Sequence, residues 1–382
     1  MDALLALEDG RVFRGRGLGA AGVVTGEVVF NTGLTGYQEI VTDPSYRGQI
    51  VTLTVPHVGN TGVNPEDPES DRPQVAGLVV RAASRSSSSW RAQSELDRYL
   101  RRHAVPGLEG IDTRALTRHI RSAGVLRGCL STGSLAPEQA VERARQAPRI
   151  ETLDLVGEVT CRRAYSWREA GGPLIEARPS RRASGYHVVA FDFGIKRNIL
   201  RLLAARGFRI TVVPAGTSAA DALALRPDGI FLSNGPGDPE ACAGPTATIR
   251  ALVGRIPIFG ICLGHQLIAR ALGARTFKLK FGHRGTNHPV REQATGRVAI
   301  TSQNHGYAVD PDTLPAELEV THVSLYDGTV EGLAHREVPL FSVQFHPEGA
   351  PGPHDTWDLF DRFVELIESG SPLPAAAPPR SA

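Results

Sequence analysis

The sequence predicts an α/β protein with a C-terminal doubly wound, mostly parallel sheet and a separate N-terminal α+β domain. Three observations carry this reading. From residue 186 onward, apolar runs of strand length alternate with helical spacings over short connections. The first third shows instead short β-rich runs broken by Gly, Pro and Asn. Between them, over about 156–186, periodicity is lost while Arg, Gly, Pro and Ser accumulate, as linkers do. The expected organisation is therefore an N-terminal domain at 1–155, a linker at 156–185, the α/β domain at 186–370 and a disordered tail at 371–382. A chain of 382 residues can bury two cores.

In the N-terminal part, "RVFRGRG", "GEVVFNTG", "QIVTLTVPHVGN" and "VAGLVVR" read as strands. "SELDRYLRRHA" and "DTRALTRHIRSAG" have helical spacing, the second with an Asp at its start and a Gly at its end. The run "SRSSSSW" at 84–90 is low in complexity and reads as a solvated loop. "GLGAAG" at 17–22 satisfies GxGxxG, but "VVTGEVVFNTG" follows it as strand where a dinucleotide site requires a helix, so it is a glycine-rich turn. In the C-terminal part the order is strand "YHVVAFDFG", helix "IKRNILRLLAARG", strand "FRITVVPAG", helix "SAADALALR", strand and loop "DGIFLSNGPGDP", helix "TATIRALVGR", then strand, turn and helix in "IPIFGICLGHQLIARALGA". These strands are apolar throughout, as parallel strands covered on both faces are. Ligands of such sheets sit at the carboxyl ends of the strands.

With 41% hydrophobic and 21% charged residues the composition is that of a soluble globular protein, and a net charge of +2 without a basic block argues against nucleic acid or an anionic membrane as partner. No stretch approaches the roughly 20 apolar residues of a membrane helix, and the start "MDALLALEDG" lacks the features of a secretion signal. Cys129, Cys161, Cys242 and Cys262 form no CxxC pair, so a reducing cytoplasm is the expected location. GxxxxGK[ST] and HExxH are absent, and no cofactor or metal is expected in this chain. Almost every basic residue is Arg. The three lysines, Lys196, Lys278 and Lys280, are candidates for places that need a compact ammonium.

Gly260-Ile261-Cys262-Leu263-Gly264 has the form of a nucleophile elbow with Cys in the nucleophile's place, set between strand and helix. The glycines let the chain reverse sharply, and the sulfur falls at a helix N-terminus. A small buried core cysteine is the other reading. A thiol nucleophile needs a base with an orienting partner, and "LFSVQFHPEG" offers His346 and Glu348, two apart at a strand end. The strand-end loop "SNGPGDP" at 233–239 could bring a backbone N–H beside that of Leu263 as an oxyanion hole, or be a plain turn. His265, His283, His288, His305, His335 and His354 are taken as structural.

Together "SNGPGDP", "GICLGHQ", "NHGYAV" and "HPE" resemble the class I glutamine amidotransferases. "NTGLTGYQEIVTDPSYRGQIV", "PHVGNTGVN", "IDTRALTR", "FGHRGTNHPV" and "PGPHD" are similar to the small, glutaminase subunit of carbamoyl phosphate synthetase. That resemblance implies Cys262 as nucleophile, His346 as acid/base and Glu348 as its orienter. It also implies glutamine contacts at Ser45, Gly235, Gly237, Leu263, Gln266, Asn304, Gly306 and Tyr307, Ser45 being the one contributor from the N-terminal domain. The expected partner is the large synthetase subunit, which would hold ATP and Mg and make carbamoyl phosphate for arginine and pyrimidine biosynthesis. Two alternatives stand beside it: a glutaminase subunit of another synthetase, such as anthranilate synthase, and a non-catalytic regulatory subunit. Where the family often has Phe, this chain has Tyr307, and Gly349-Ala350 replaces the more usual Ala-Ser.

Overall fold

The computed structural model describes residues 2–170 and 185–372. The interior of the expected linker and all but the first two residues of the expected tail lie outside them. The chain divides into two compact units, Met1–Leu155 with Lys280–Gly285, and Val156–Leu279 with Thr286–Ala382.

The first unit contains β1 (Asp2–Leu7), β2 (Val12–Gly19), β3 (Gly22–Asn31), α1 (Tyr37–Thr42), β4 (Gln49–Leu53), β5 (Gly77–Val80), α2 (Leu96–Arg102), β6 (Pro106–Glu109), α3 (Thr113–Ala123), β7 (Leu126–Thr132) and α4 (Pro137–Gln146). Its strands close into a barrel in the order β1-β2-β6-β5-β4-β3-β7. β3, β4, β5 and β6 pair in parallel and the remaining pairs are antiparallel. β1 was not expected, because "DALLAL" lacks alternation. The structure explains why: Ala3, Leu5 and Leu7 join the cluster of Val28, Ile50, Val79 and Leu130, while Leu4 and Ala6 pack on Ala140 and Ala144 of α4. A strand buried on both faces shows no period of two. The Asp expected to open a helix does so, since Asp112 Oδ1 accepts from the Ala115 amide at 2.9 Å ahead of α3.

The second unit opens with α5 (Leu155–Val159) and β8 (Tyr165–Trp167). Both lie in the stretch read as linker. β8 is an edge strand antiparallel to β10, with Trp167 packed against the core, and the three residues of "YSW" are too few to leave a periodic signature. There follow β9 (His187–Asp192), α6 (Arg197–Ala205), β10 (Arg209–Pro214), α7 (Ala219–Ala224), β11 (Gly229–Leu232), α8 (Ala243–Leu252), β12 (Ile258–Ile261) and α9 (Leu263–Ala271). The chain continues through β13 (Thr276–Glu292), β14 (Val298–Val309), β15 (Leu318–Ser324), β16 (Val330–His335), β17 (Leu340–Val343) and α10 (Asp358–Ser369). The ten-stranded sheet has the order β14-β13-β15-β16-β17-β12-β11-β9-β10-β8. Its centre, β10-β9-β11-β12-β17, is parallel. β16 and β15 continue it antiparallel.

Both faces of this centre are covered, which is the doubly wound architecture. On one face Val188, Ala190, Phe231 and Phe259 meet Ile199 and Leu203 of α6 and Phe360 and Phe363 of α10. On the other, Val189, Phe191, Ile230, Leu232 and Ile258 meet Ile249 and Leu252 of α8 and Leu267 and Ile268 of α9. Alternate residues of one strand thus serve opposite layers, and the carboxyl ends of β11 and β12 are neighbours. No helix among the described residues is long and apolar enough to cross a membrane.

Candidate active site

Cys262 stands between β12 and α9 with φ +53° and ψ −103°. A left-handed φ is costly for any residue with a Cβ, and such strain collects where a side chain must be aimed. The turn is fixed from three sides. The Cys262 amide donates to Val343 O at 2.9 Å, the Gly264 amide to Ser233 O at 3.0 Å, and the Gln266 amide to Cys262 O at 3.1 Å. Both flanking glycines are required by contact. A Cβ on Gly260 would come within 2.7 Å of Ile268 Cδ1 and 3.0 Å of the Gly264 carbonyl carbon, and one on Gly264 would run into the Leu232 carbonyl. Gly264→Ala is therefore expected to destabilise the chain by about 1–3 kcal/mol. Gly244→Ala, in α8 with open space around it, should hold or raise the melting temperature. Thermal unfolding of the two variants checks this, and equal melting temperatures would contradict it.

β17 delivers the second group. His346 and Glu348 follow it, with the His346 amide donating to Ser302 O of β14 at 2.8 Å. His346 Nδ1 lies 2.7 Å from Glu348 Oε1. Behind the carboxylate stands Lys196, whose Nζ donates to the same oxygen at 2.7 Å. Lys196 is 2% exposed and Glu348 0%. Asn198 Nδ2 donates to Glu348 O at 2.8 Å, and Trp357 Nε1 to the same carbonyl at 3.3 Å. Burial alone would raise the Glu348 pKa, but the Lys196 ammonium and the His346 ring outweigh it and lower it to about 2. Burial alone would lower that of His346. Glu348 and the Cys262 sulfur outweigh it and raise it to about 10. His346 Nε2, left over by Glu348, makes no hydrogen bond of standard geometry among the described residues. Cys262 nonetheless acts on the ring, first as a hydrogen-bond partner and then through charge, in a contact as loose as those of catalytic pairs before substrate tightens them. The thiol itself donates to Asn304 O at 3.7 Å.

The loop after β11 leans on the elbow. A Cβ on Gly235 would strike the Phe193 carbonyl and come within 2.8 Å of Leu263 Cδ2, so the Gly235 backbone lies against Leu263. Gly237 has φ +89°. Ser233 Oγ accepts from the Phe193 amide at 2.9 Å and donates to Asn234 O at 2.8 Å, pinning the loop's start. Gln266 is buried on α9 and gives its amide nitrogen to Tyr307 O at 2.9 Å and Gln344 Oε1 at 3.0 Å. Asn304, Gly306 and Tyr307 lie along β14, which the bridge between Ser302 and His346 joins to the residues after β17. Ser45 belongs to the first unit, in the turn Pro44–Tyr46, where its amide is capped by Asp43 Oδ1 at 2.9 Å.

His265 is three residues from Cys262, yet its Nδ1 pairs with Ser342 Oγ at 2.9 Å, and burial together with His322 lowers its pKa to about 3. It is a neutral core histidine. Residue spacing left out Lys196, Asn198 and Trp357. The one available signal for Lys196 was its rarity among arginines.

A cysteine on a glycine-flanked elbow of a doubly wound sheet, facing a buried histidine and glutamate, defines a class I glutamine amidotransferase. In agreement, residues 189–366 match the family described as Glutamine amidotransferase class-I. Residues 5–130 match Carbamoyl-phosphate synthase small chain, CPSase domain. The carbamoyl phosphate synthase small chain of Syntrophotalea carbinolica is 56% identical over 96% of this chain and 98% of its own length. Those of Akkermansia muciniphila and a Synechococcus species are 55% and 54% identical over 96% and 98% of this chain and 98% and 95% of theirs. The chain belongs to the carbamoyl phosphate synthase small chain family.

Proposed function

We propose that this chain is the glutamine-hydrolysing subunit of a cytoplasmic carbamoyl phosphate synthase. The observation that carries the reading is the buried relay Lys196–Glu348–His346 ending at a sulfur on a strained elbow. Cys262, having given its proton to His346, attacks the side-chain amide carbon of glutamine, and the backbone N–H groups of Leu263 and Gly235 hold the oxyanion. As the C–N bond breaks, His346 returns the proton to the departing nitrogen, leaving a glutamyl thioester and ammonia. Water then gives a proton to His346 and its oxygen to the thioester, which releases glutamate and the thiol. Gly237, Gln266, Asn304, Gly306 and Tyr307 are assigned to glutamine binding. With its amide nitrogen committed to Tyr307 and Gln344, Gln266 can offer substrate its oxygen.

In neutral water ammonia becomes ammonium and ceases to be a nucleophile, so its release is useful when it is passed directly to an acceptor site. The large chain of the synthase is assigned that role, with ATP and Mg bound there and bicarbonate as the acceptor, for arginine and pyrimidine biosynthesis. Glutamate released from glutamine is to be measured for the chain alone and with its cognate large chain. Hydrolysis that rises on adding the large chain is expected. No hydrolysis in a complex that has formed would overturn the reading in favour of a non-catalytic subunit.

A further inference from the structure

Asp192 ends β9 and is 6% exposed, yet the proposed chemistry makes no use of it. Among the described residues no cationic side chain pairs with this carboxylate. Its partners are backbone amides. Oδ1 accepts from Gly194 at 2.9 Å and from Ile195 at 2.8 Å, and Oδ2 accepts from Cys161 at 2.8 Å. The Cys161 thiol makes a further hydrogen bond to the same side chain. Burial raises the Asp192 pKa, and the amides of Ile195, Gly194 and Cys161 oppose the rise. A carboxyl group buried without a counterion is costly, and this one shapes the chain beside it. It folds residues 193–195 into a tight turn in which Gly194 takes φ +125°. The next residue is Lys196, which caps the start of α6.

The turn touches both halves of the site. Lys196 Nζ reaches Glu348 Oε1 at 2.7 Å, and Asn198 Nδ2 holds the Glu348 carbonyl at 2.8 Å. On the other side the Phe193 amide donates to Ser233 Oγ at 2.9 Å and the Lys196 amide to Asn234 Oδ1 at 3.2 Å, while the Phe193 carbonyl lies against Gly235. These contacts fasten the two ends of the turn to the loop after β11. Its middle, Gly194 and Ile195, is held by Asp192 Oδ1. An ammonium on a four-carbon stem is a flexible point charge, so its aim depends on where the backbone releases the stem.

We infer that Asp192 is a positioning residue for glutamine hydrolysis: by holding the Gly194 and Ile195 amides it aims Lys196 at Glu348. The inference rests on the proposed function, which makes Lys196, Glu348 and His346 a working relay. The turn needs shape from this side chain and not charge, because one oxygen takes both amides and an asparagine carbonyl can do the same. In Asp192→Asn the other position becomes an NH2 group facing the Cys161 amide, donor against donor. That variant breaks the tie to Cys161 and keeps the turn. Asp192→Glu keeps the charge but moves both oxygens by a methylene, and Asp192→Ala removes every tie.

The test measures kcat and KM for glutamine in the complex with the cognate large chain, below the melting temperature of each variant. Asp192→Ala should lower kcat about 30-fold with KM within about 3-fold of wild type. Asp192→Glu should lose about 10-fold and Asp192→Asn about 3-fold. Added to Lys196→Met, Asp192→Ala should cost less than about 3-fold more, because the group it aims is gone. A merely structural Asp192 would instead multiply its full loss onto that of Lys196→Met, and this result overturns the assignment. Asp192→Glu retaining more activity than Asp192→Asn overturns it as well, since charge would then be what matters, and this comparison does not require Asp192→Ala to fold. A wild-type complex that forms and releases no glutamate overturns the assigned function and this role with it.

Discussion

Cys262→Ser is expected to lower glutamine hydrolysis by roughly 10³-fold or more while leaving ammonia-dependent carbamoyl phosphate synthesis by the two-chain complex intact. The reason lies in how His346 is charged. With its pKa raised to about 10 by Glu348 and Cys262, the ring favours the imidazolium at neutral pH and draws part of that preference from Cys262. A serine hydroxyl is far less acidic than a thiol and would meet a ring whose remaining partner, Glu348, still favours the protonated form. The oxygen is no longer than the sulfur it replaces, so the elbow is kept and the variant should melt within a few degrees of wild type. Glutamate release separates the outcomes. A variant within tenfold of wild type would remove Cys262 as the nucleophile.

Lys196→Met should be the most damaging change outside the three assigned catalytic residues. It leaves a 0% exposed carboxylate without its ammonium, and removing one partner of a buried pair commonly costs about 3–5 kcal/mol. Glu348 is held at about 2 against an ordinary 4.5, with Lys196 the larger of the two partners that offset burial. A carboxylate whose pKa is lowered on folding contributes stability above its unfolded value, and that contribution is lost as pH falls from about 4.5 towards 2. In the variant the folded-state pKa lies closer to 4.5, so this acid loss should be smaller and end at higher pH. His346 behaves in the opposite sense. Its pKa is raised, so its contribution is complete below about 6.5 and is lost as pH rises towards 10. Urea denaturation across pH, together with kcat for glutaminase, checks this. An acid limb in Lys196→Met that coincides with wild type would show that the ammonium does not hold Glu348 charged.

The C-terminal unit could be read closely because each of its strands is apolar on both faces and is followed by a helix with a regular stripe, so local pattern and tertiary burial agree. Cys262, His346 and Glu348 were found for a related reason: their spacings have few other uses. The N-terminal barrel was harder. Its closure joins β1 to β7 across more than a hundred residues, and no local pattern encodes such a pairing. β8 was missed because three residues cannot display a period. Lys196 lies 152 residues from its partner Glu348, so only its scarcity among arginines marked it. The serine run at 84–90 is the solvated loop that its composition suggests, with Arg85, Ser86, Ser88 and Trp90 exposed, while its hydrogen bonds to Asn60 and Glu95 leave no local signature.

The Lys196, Glu348, His346 and Cys262 set has a consequence in electrical terms. When the thiol has given its proton to the ring, the four side chains carry two positive and two negative charges that sum to zero. All four are buried, beyond the reach of mobile ions, whose screening acts on charges in contact with solvent. The chemistry is thereby decoupled from ionic strength, and dissolved salt is left to act on the encounters that precede it. A substrate bearing its own balanced charges, as free glutamine does, meets a site that asks for no counterion to enter or leave with it.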